Sequence, residues 1–172
     1  MNSGSSSKKH VDVFTDGACL GNPGPGGYAA ILVSAPHRKE IFGGFRRTTN
    51  NRMELMAAIE ALEALKQPCD VDLFSDSAYL VNSVSKGWAR KWQANGWRRS
   101  PGGIVPNWDL WQRLLDLAEI HTLRLQWVRG HAGHEENERC DALATAAAAD
   151  TPTAIDAGYE TPALPSRGAA LM

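Results

Sequence analysis

Two octets, VDVFTDGA at 11–18 and VDLFSDSA at 71–78, constrain the fold of this chain more than any other feature. Each alternates apolar and polar residues like a half-buried strand. Each carries an aspartate, Asp16 or Asp76, two residues beyond a phenylalanine and so on the same strand face. Eight residues are too few to define a repeat, but they predict two strands in equivalent settings. If these are parallel neighbours joined through a helix, Asp16 and Asp76 stand side by side at the strands' carboxyl ends. Ligand sites of open α/β sheets gather there.

The surrounding pattern fits such a sheet. Strands are expected at 10–16, 28–34, 41–47, 71–75 and 123–128, with an irregular Gly/Pro-rich turn at 21–27. Leu55, Ile59, Leu62 and Leu65 recur at helical spacing within 51–66, and Pro68 closes that helix. Shorter periodic segments predict helices at 77–85, after Asn107 (with Trp108, Trp111, Leu115 and Ala118 on one face) and at 135–150. Three strands in succession, then strands alternating with helices, predict an α/β layered sheet of mixed direction.

The 172 residues suit one domain. Residues 1–8 read as a floppy leader without the apolar core of a secretory signal, 9–150 as the folded domain, and 151–172 as a mostly unstructured tail. Three cysteines, Cys19, Cys69 and Cys140, without CxxC spacing, argue against a disulfide framework or zinc site and fit a reducing cytoplasm. No run of about 18 apolar residues predicts a membrane span. The net charge of −1 gives no sign of a polyanionic partner, so charge distribution must carry that argument.

Four acids stand where chemistry could use them: Asp16, Glu54, Asp76 and Asp141. Each has an ordinary reading. Glu54 could close a capping box from Asn51, Asp76 could cap the helix at Ser77, Asp141 could be a solvated helix residue, and Asp16 a turn former. Together, without a Cys or His cluster, they suit hard, oxygen-seeking Mg²⁺ or Mn²⁺. A pair of such ions can drive in-line phosphodiester displacement.

The stretch 86–99 holds Lys86, Arg90, Lys91, Arg98 and Arg99 and no acid, interleaved with Trp88, Trp92 and Trp97. Cations neutralise phosphates, and aromatic faces pack on sugars or bases. A solvated basic loop whose tryptophans plug into the core explains the same residues, and for Trp97 that alternative is as strong.

Four segments carry a family resemblance. TDGACLGNPGPGGY (15–28), TTNNRMELMAAI (48–59), SDS (75–77) and WVRGHAGHEENERCD (127–141) resemble, in order, the acid-bearing blocks of bacterial ribonuclease HI, the type 1 ribonuclease H family. The resemblance spans about residues 10 to 150. It implies a five-stranded mixed sheet, three antiparallel strands then parallel ones, flanked by helices. It further implies a monomeric, cytoplasmic endonuclease that cuts the RNA strand of RNA–DNA hybrids, leaving 5′-phosphate and 3′-hydroxyl ends. By resemblance, Asp16, Glu54, Asp76 and Asp141 hold two Mg²⁺ with substrate, Mn²⁺ being an acceptable substitute, and His131 aids proton transfer or product release. His134 matches no catalytic position and is read as structural.

Asn50, Asn51 and backbone groups around Cys19 would face the RNA minor groove, where the 2′-OH distinguishes RNA from DNA. Asn22 and Thr49 would hold a DNA phosphate. Trp88, Arg90, Lys91 and Trp92 would belong to a basic protrusion that grips the hybrid. The chain departs from the family pattern at Ala78, where glutamine is usual, and in the less basic stretch 100–106, so a looser, salt-sensitive grip is expected. From the residues alone, a non-catalytic hybrid-binding module and an integrase- or transposase-like nuclease of the same fold remain alternatives.

Overall fold

The computed structural model describes residues 7–130 and 133–166. Among these, the strands β1 (Lys9–Cys19), β2 (Gly24–Ser34), β3 (His37–Thr48), β4 (Cys69–Ser75) and a last strand, Thr122–Trp127, form one sheet. With a two-stranded hairpin of β5 (Arg98–Arg99) and β6 (Gly103–Ile104) intervening, that last strand is β7, and the sheet order is β3-β2-β1-β4-β7. The first three strands are antiparallel, while β4 lies parallel to both β1 and β7. The expected mixed five-stranded sheet is present.

The helices are α1 (Asn50–Glu63), α2 (Ala78–Ser85), α3 (Trp88–Ala94), α4 (Trp108–Ile120), α5 (Glu135–Ala149) and a short α6 (Ala157–Glu160). The twin octets sit in register, Val13 opposite Leu73 and Phe14 opposite Phe74. Their odd-numbered residues, Val11, Val13, Val71 and Leu73, are buried under α1 and α4 with Leu55, Ile59, Leu62, Leu110 and Trp111. Their even-numbered residues face the other side. There α5 covers β1 and β2 through Cys140, Leu143 and Ala144 against Ala29 and Ile31. Phe14 and Phe74 stack on that side, ring centroids 5.1 Å apart.

Several boundaries differ from the sequence reading. The glycine-rich segment expected to be irregular already belongs to β2 from Gly24 onward. Its glycines let the strand press on α5: a Cβ at Gly27 would meet the Ala148 nitrogen at 2.7 Å. Helix α1 begins at Asn50 and ends at Glu63, and the basic stretch folds as α3 followed by the β5–β6 hairpin.

Residues 151–166, expected to belong to a mostly unstructured tail, hold no regular element but α6, yet they dock on the domain. Asp156 is 3% exposed and accepts from Arg52 Nε at 2.7 Å, from Arg52 Nη2 at 2.9 Å and from Thr48 Oγ1 at 2.7 Å. Arg46 forks onto Glu160, its backbone N–H donates to Ala154, and Trp108 Nε1 donates to the Ala163 carbonyl. The tail lacks hydrophobic periodicity because polar contacts hold it.

Candidate active site

The parallel pairing of β1 with β4 runs through Phe14–Phe74, and Asp16 and Asp76 follow two residues later. Helix α1 brings a third acid over the strand ends. Glu54 is 4% exposed, and its Oε1 accepts from the Gly17 N–H at 3.2 Å, while Asp16 Oδ1 accepts from the same N–H at 2.9 Å. One ligand oxygen from each of Asp16, Glu54 and Asp76 falls within 4.8 Å of the others. Asp141, one side of α5, lines the same cleft with Thr15, Asn137 and Glu138.

The capping roles that the sequence offered for Glu54 and Asp76 are taken by other residues. Thr49 caps α1, its hydroxyl accepting from Arg52 N, so Glu54 closes no capping box. Ser77, with its hydroxyl accepting from Leu80 N, caps α2 in place of Asp76. Gly130, beyond the end of β7, passes so close to Asp76 that a Cβ there would lie 2.7 Å from Oδ2. Packing therefore confines the Asp76 carboxylate.

The cluster is electrostatically costly. Burial, and then the charge of Asp76, pushes the Asp16 carboxyl up to about 7, against the opposing hydrogen bonds from Glu54 and Gly17. Burial, followed by repulsion from Asp16 and Asp76, holds Glu54 well above the ordinary carboxylate range. Glu54 Oε2 and Asn137 Oδ1 are buried and lack hydrogen-bond partners among the described residues. The converging carboxylate oxygens of Asp16, Glu54 and Asp76, joined among the described residues by no sulfur or imidazole, suit a hard divalent cation, and the donor set fits one.

The sign of this coupling gives a prediction for the metal-free protein. A carboxyl raised from 3.8 to about 7 contributes stability that is present below pH 4 and lost as pH rises through 7. Asp16→Asn should therefore melt at the wild-type temperature near pH 4 and above it at pH 7.5, in chelator. The gap is at most about 4 kcal/mol. Calorimetry across that range checks it, and a variant that melts below wild type at pH 7.5 would contradict the account of the cluster.

Beside the acids, the neutral residues expected to meet substrate come together. Asn22 Oδ1 accepts from the Asn50 N–H at 3.1 Å, tying the β1–β2 turn to the start of α1 beside Thr49 and Asn51. Cys19 Sγ donates to the Gly21 carbonyl at 2.9 Å. In the protrusion, Trp88, Lys91, Trp92, Asn95, Arg98 and Arg99 line one open cleft, with Lys86 Nζ 5.2 Å over the Trp88 ring. Arg90 is not among them and pairs with Glu119 at 2.9 Å. Trp92 packs edge-on against Trp111, and Trp97 is buried with its Nε1 donating to Gln112, as the core alternative had it. His131 lies outside the described residues; His134 sits at the N-cap of α5 without a side-chain cap bond.

Asn137 and Glu138 were missed as cleft residues, although Asn137 stands one helical turn before Asp141 on the same face. Asn95 carried no sequence signal, because only the fold of α3 turns it toward the basic cleft.

Comparison with known proteins decides the family. The RNase H family model matches residues 8–149. The chain belongs to the ribonuclease H family. It is 57% identical over 152 residues to Ribonuclease H of Syntrophus aciditrophicus, covering 88% of each chain. It is 59% identical over 140 residues to Ribonuclease H of Desulforamulus reducens, covering 81% of this chain and 88% of that one. Among solved structures, LC9-RNase H1, described as a type 1 RNase H with the type 2 active-site motif, aligns with a TM-score of 0.74 at 35% identity. That alignment covers 83% of this chain and 73% of LC9-RNase H1.

Proposed function

We propose that this ribonuclease H is an endonuclease hydrolysing the RNA strand of RNA–DNA hybrids, with two Mg²⁺ ions as its cofactor and Mn²⁺ as a substitute. The observation that carries the reading is the convergence of buried Asp16 and Glu54 with half-buried Asp76, an unpaired Glu54 oxygen among them, beside Asp141. Two divalent ions held there would supply the charge that activates a water and stabilises the leaving oxygen, for products with 5′-phosphate and 3′-hydroxyl ends. The four carboxylates would hold the ions and be relieved of mutual repulsion in doing so. Gly17 N–H orients both Asp16 and Glu54 before substrate arrives. His131 aids proton transfer or product release.

Asn50, Asn51 and the backbone at Cys19 read the RNA strand, Asn22 and Thr49 hold a DNA phosphate, and the protrusion grips the DNA strand. The protein works as a monomer in the cytoplasm; among the described residues no helix is long and apolar enough to cross a membrane. Incubation with labelled hybrid, duplex RNA and duplex DNA tests the reading. Cutting is expected in the hybrid alone and only without chelator. Cleavage of duplex DNA would favour the integrase-like alternative.

The protrusion makes its own prediction. Lys91→Ala with Arg98→Ala should weaken hybrid binding and flatten the log–log salt dependence by about two. Arg90→Ala should do less, since Glu119 already neutralises Arg90. Binding titrations at several salt concentrations check this, and an unchanged slope in the double variant would misplace the surface.

A further inference from the structure

Helix α5 covers β1 and β2 but leaves the same face of β4 and β7 open, and there three aspartates meet His10 while Arg124 pairs with two of them. His10 pairs with Asp70 across the strands, Asp12 with Asp72, and Asp72 with Arg124 of β7. His10 Nε2 lies 2.9 Å from Asp12 Oδ1 and 3.6 Å from Asp72 Oδ2, while Nδ1 lies 3.2 Å from Asp70 Oδ2. Both ring nitrogens thus face carboxylate oxygens. A neutral imidazole can donate from only one of them, so the other needs either a second proton or a metal ion.

We propose that His10, Asp12 and Asp72 form a second metal site, for a borderline divalent ion of the zinc class, that staples β1 to β4. The three ligand atoms lie within 4.8 Å of one another. The two contacts of Nε2 straddle the ligand–ligand separation of about 3.3 Å that tetrahedral Zn²⁺ demands. With the ion on Nε2, Nδ1–H donates to Asp70, the outer carboxylate that orients a ligating histidine.

The outer shell is itself held. Arg124 Nη1 donates to Asp70 Oδ1 at 2.8 Å, and Arg124 Nε and Gln126 Nε2 donate to Asp72 Oδ1 at 2.8 and 3.1 Å. The oxygen turned to His10, Asp72 Oδ2, takes a longer 3.3 Å contact from Arg124 Nη2. With His10 neutral, three carboxylates against one guanidinium leave two negative charges unmatched, which a divalent ion balances and a single proton on His10 does not. An imidazole among the ligands favours zinc, nickel or copper over Mg²⁺. The stacked Phe14 and Phe74 stand between this cluster and Asp16, four residues or roughly 13 Å along the strand from Asp12.

Calorimetric titration of the full chain with Zn²⁺, in excess Mg²⁺ to saturate the acid cluster, tests this. Wild type should bind one Zn²⁺ that His10→Ala and Asp12→Asn lose, and Zn²⁺ should raise the melting temperature of wild type but of neither variant. Asp70→Asn, which keeps every ligand, should weaken binding about tenfold. No Zn²⁺ binding in wild type, or binding unchanged in His10→Ala, would overturn the site. Unchanged affinity in Asp70→Asn would remove the positioning role of Asp70.

Discussion

Asp76→Asn is expected to lower hybrid cleavage on the order of 10³-fold or more while leaving hybrid affinity within a small factor. The substitution keeps the shape of the side chain confined by Gly130 and removes one charge from the cluster it shares with Asp16 and Glu54. Stabilisation of a transferring phosphoryl group by bound cations is worth several kcal/mol, and each 1.36 kcal/mol is tenfold in rate. Unfolding cannot produce this loss. The charge of Asp76 raises both neighbours, so its removal relaxes the metal-free protein. A gel assay of cleavage beside an anisotropy measurement of binding separates the effects. A variant that still cuts at near the wild-type rate would mean that Asp76 holds no ion. A purely binding module would have no cleavage to lose.

Asp156→Ala is expected to destabilise the fold by about 3–5 kcal/mol, the cost of taking one of two partners from a buried charge. Arg52 is 2% exposed and shares its guanidinium between Asp156 and Asp109, with Nη1 and Nη2 donating to Asp109 at 2.8 and 2.7 Å. Loss of Asp156 leaves Nε facing no acceptor in a dry site. At about 2–4 °C per kcal/mol for a chain of this size, the melting temperature should fall by roughly 10 °C. Arg46→Ala, which removes the exposed pair with Glu160, should cost under about 1 kcal/mol. Equal effects of the two substitutions in thermal unfolding would show that the tail is held by its surface pairs and that the buried network is neutral. Because Arg52 precedes Glu54 by two residues in the first turn of α1, the tail also braces the turn that carries the second acid.

Much of this architecture is legible in one dimension because its periodicities are local. Alternation in the twin octets specifies both strand and face, and the structure sets them in register at every position from Val11 to Phe14. Apolar spacing from Leu55 to Leu62 likewise marks the buried stripe of α1. Boundaries are less legible, since Thr49 competes with Asn51 as a cap and only the hydrogen bond to Arg52 N decides between them.

The tail shows the limit most clearly. Asp156 sits in a polar segment with no period, and its value comes from an arginine 104 positions away in sequence. Trp92 and Trp97 look alike in a basic stretch, yet Trp97 is plugged beside Gln112 while Trp92 lines the open cleft with one side and packs on Trp111 with the other. Similarly, Arg90 and Arg98 carry the same charge, and only the turn of α3 sends one to Glu119 and the other to the cleft.

By itself, then, the sequence determined the layered sheet and the placing of an aspartate at the end of each twin strand, because side-chain alternation is a property of the strand itself. Tertiary structure alone decided that Glu54 loses its solvent, that Gly130 confines Asp76, and that an unpaired oxygen faces the cluster. Burial and convergence depend on what the other elements bring to the same place, and that sum is written in no single segment.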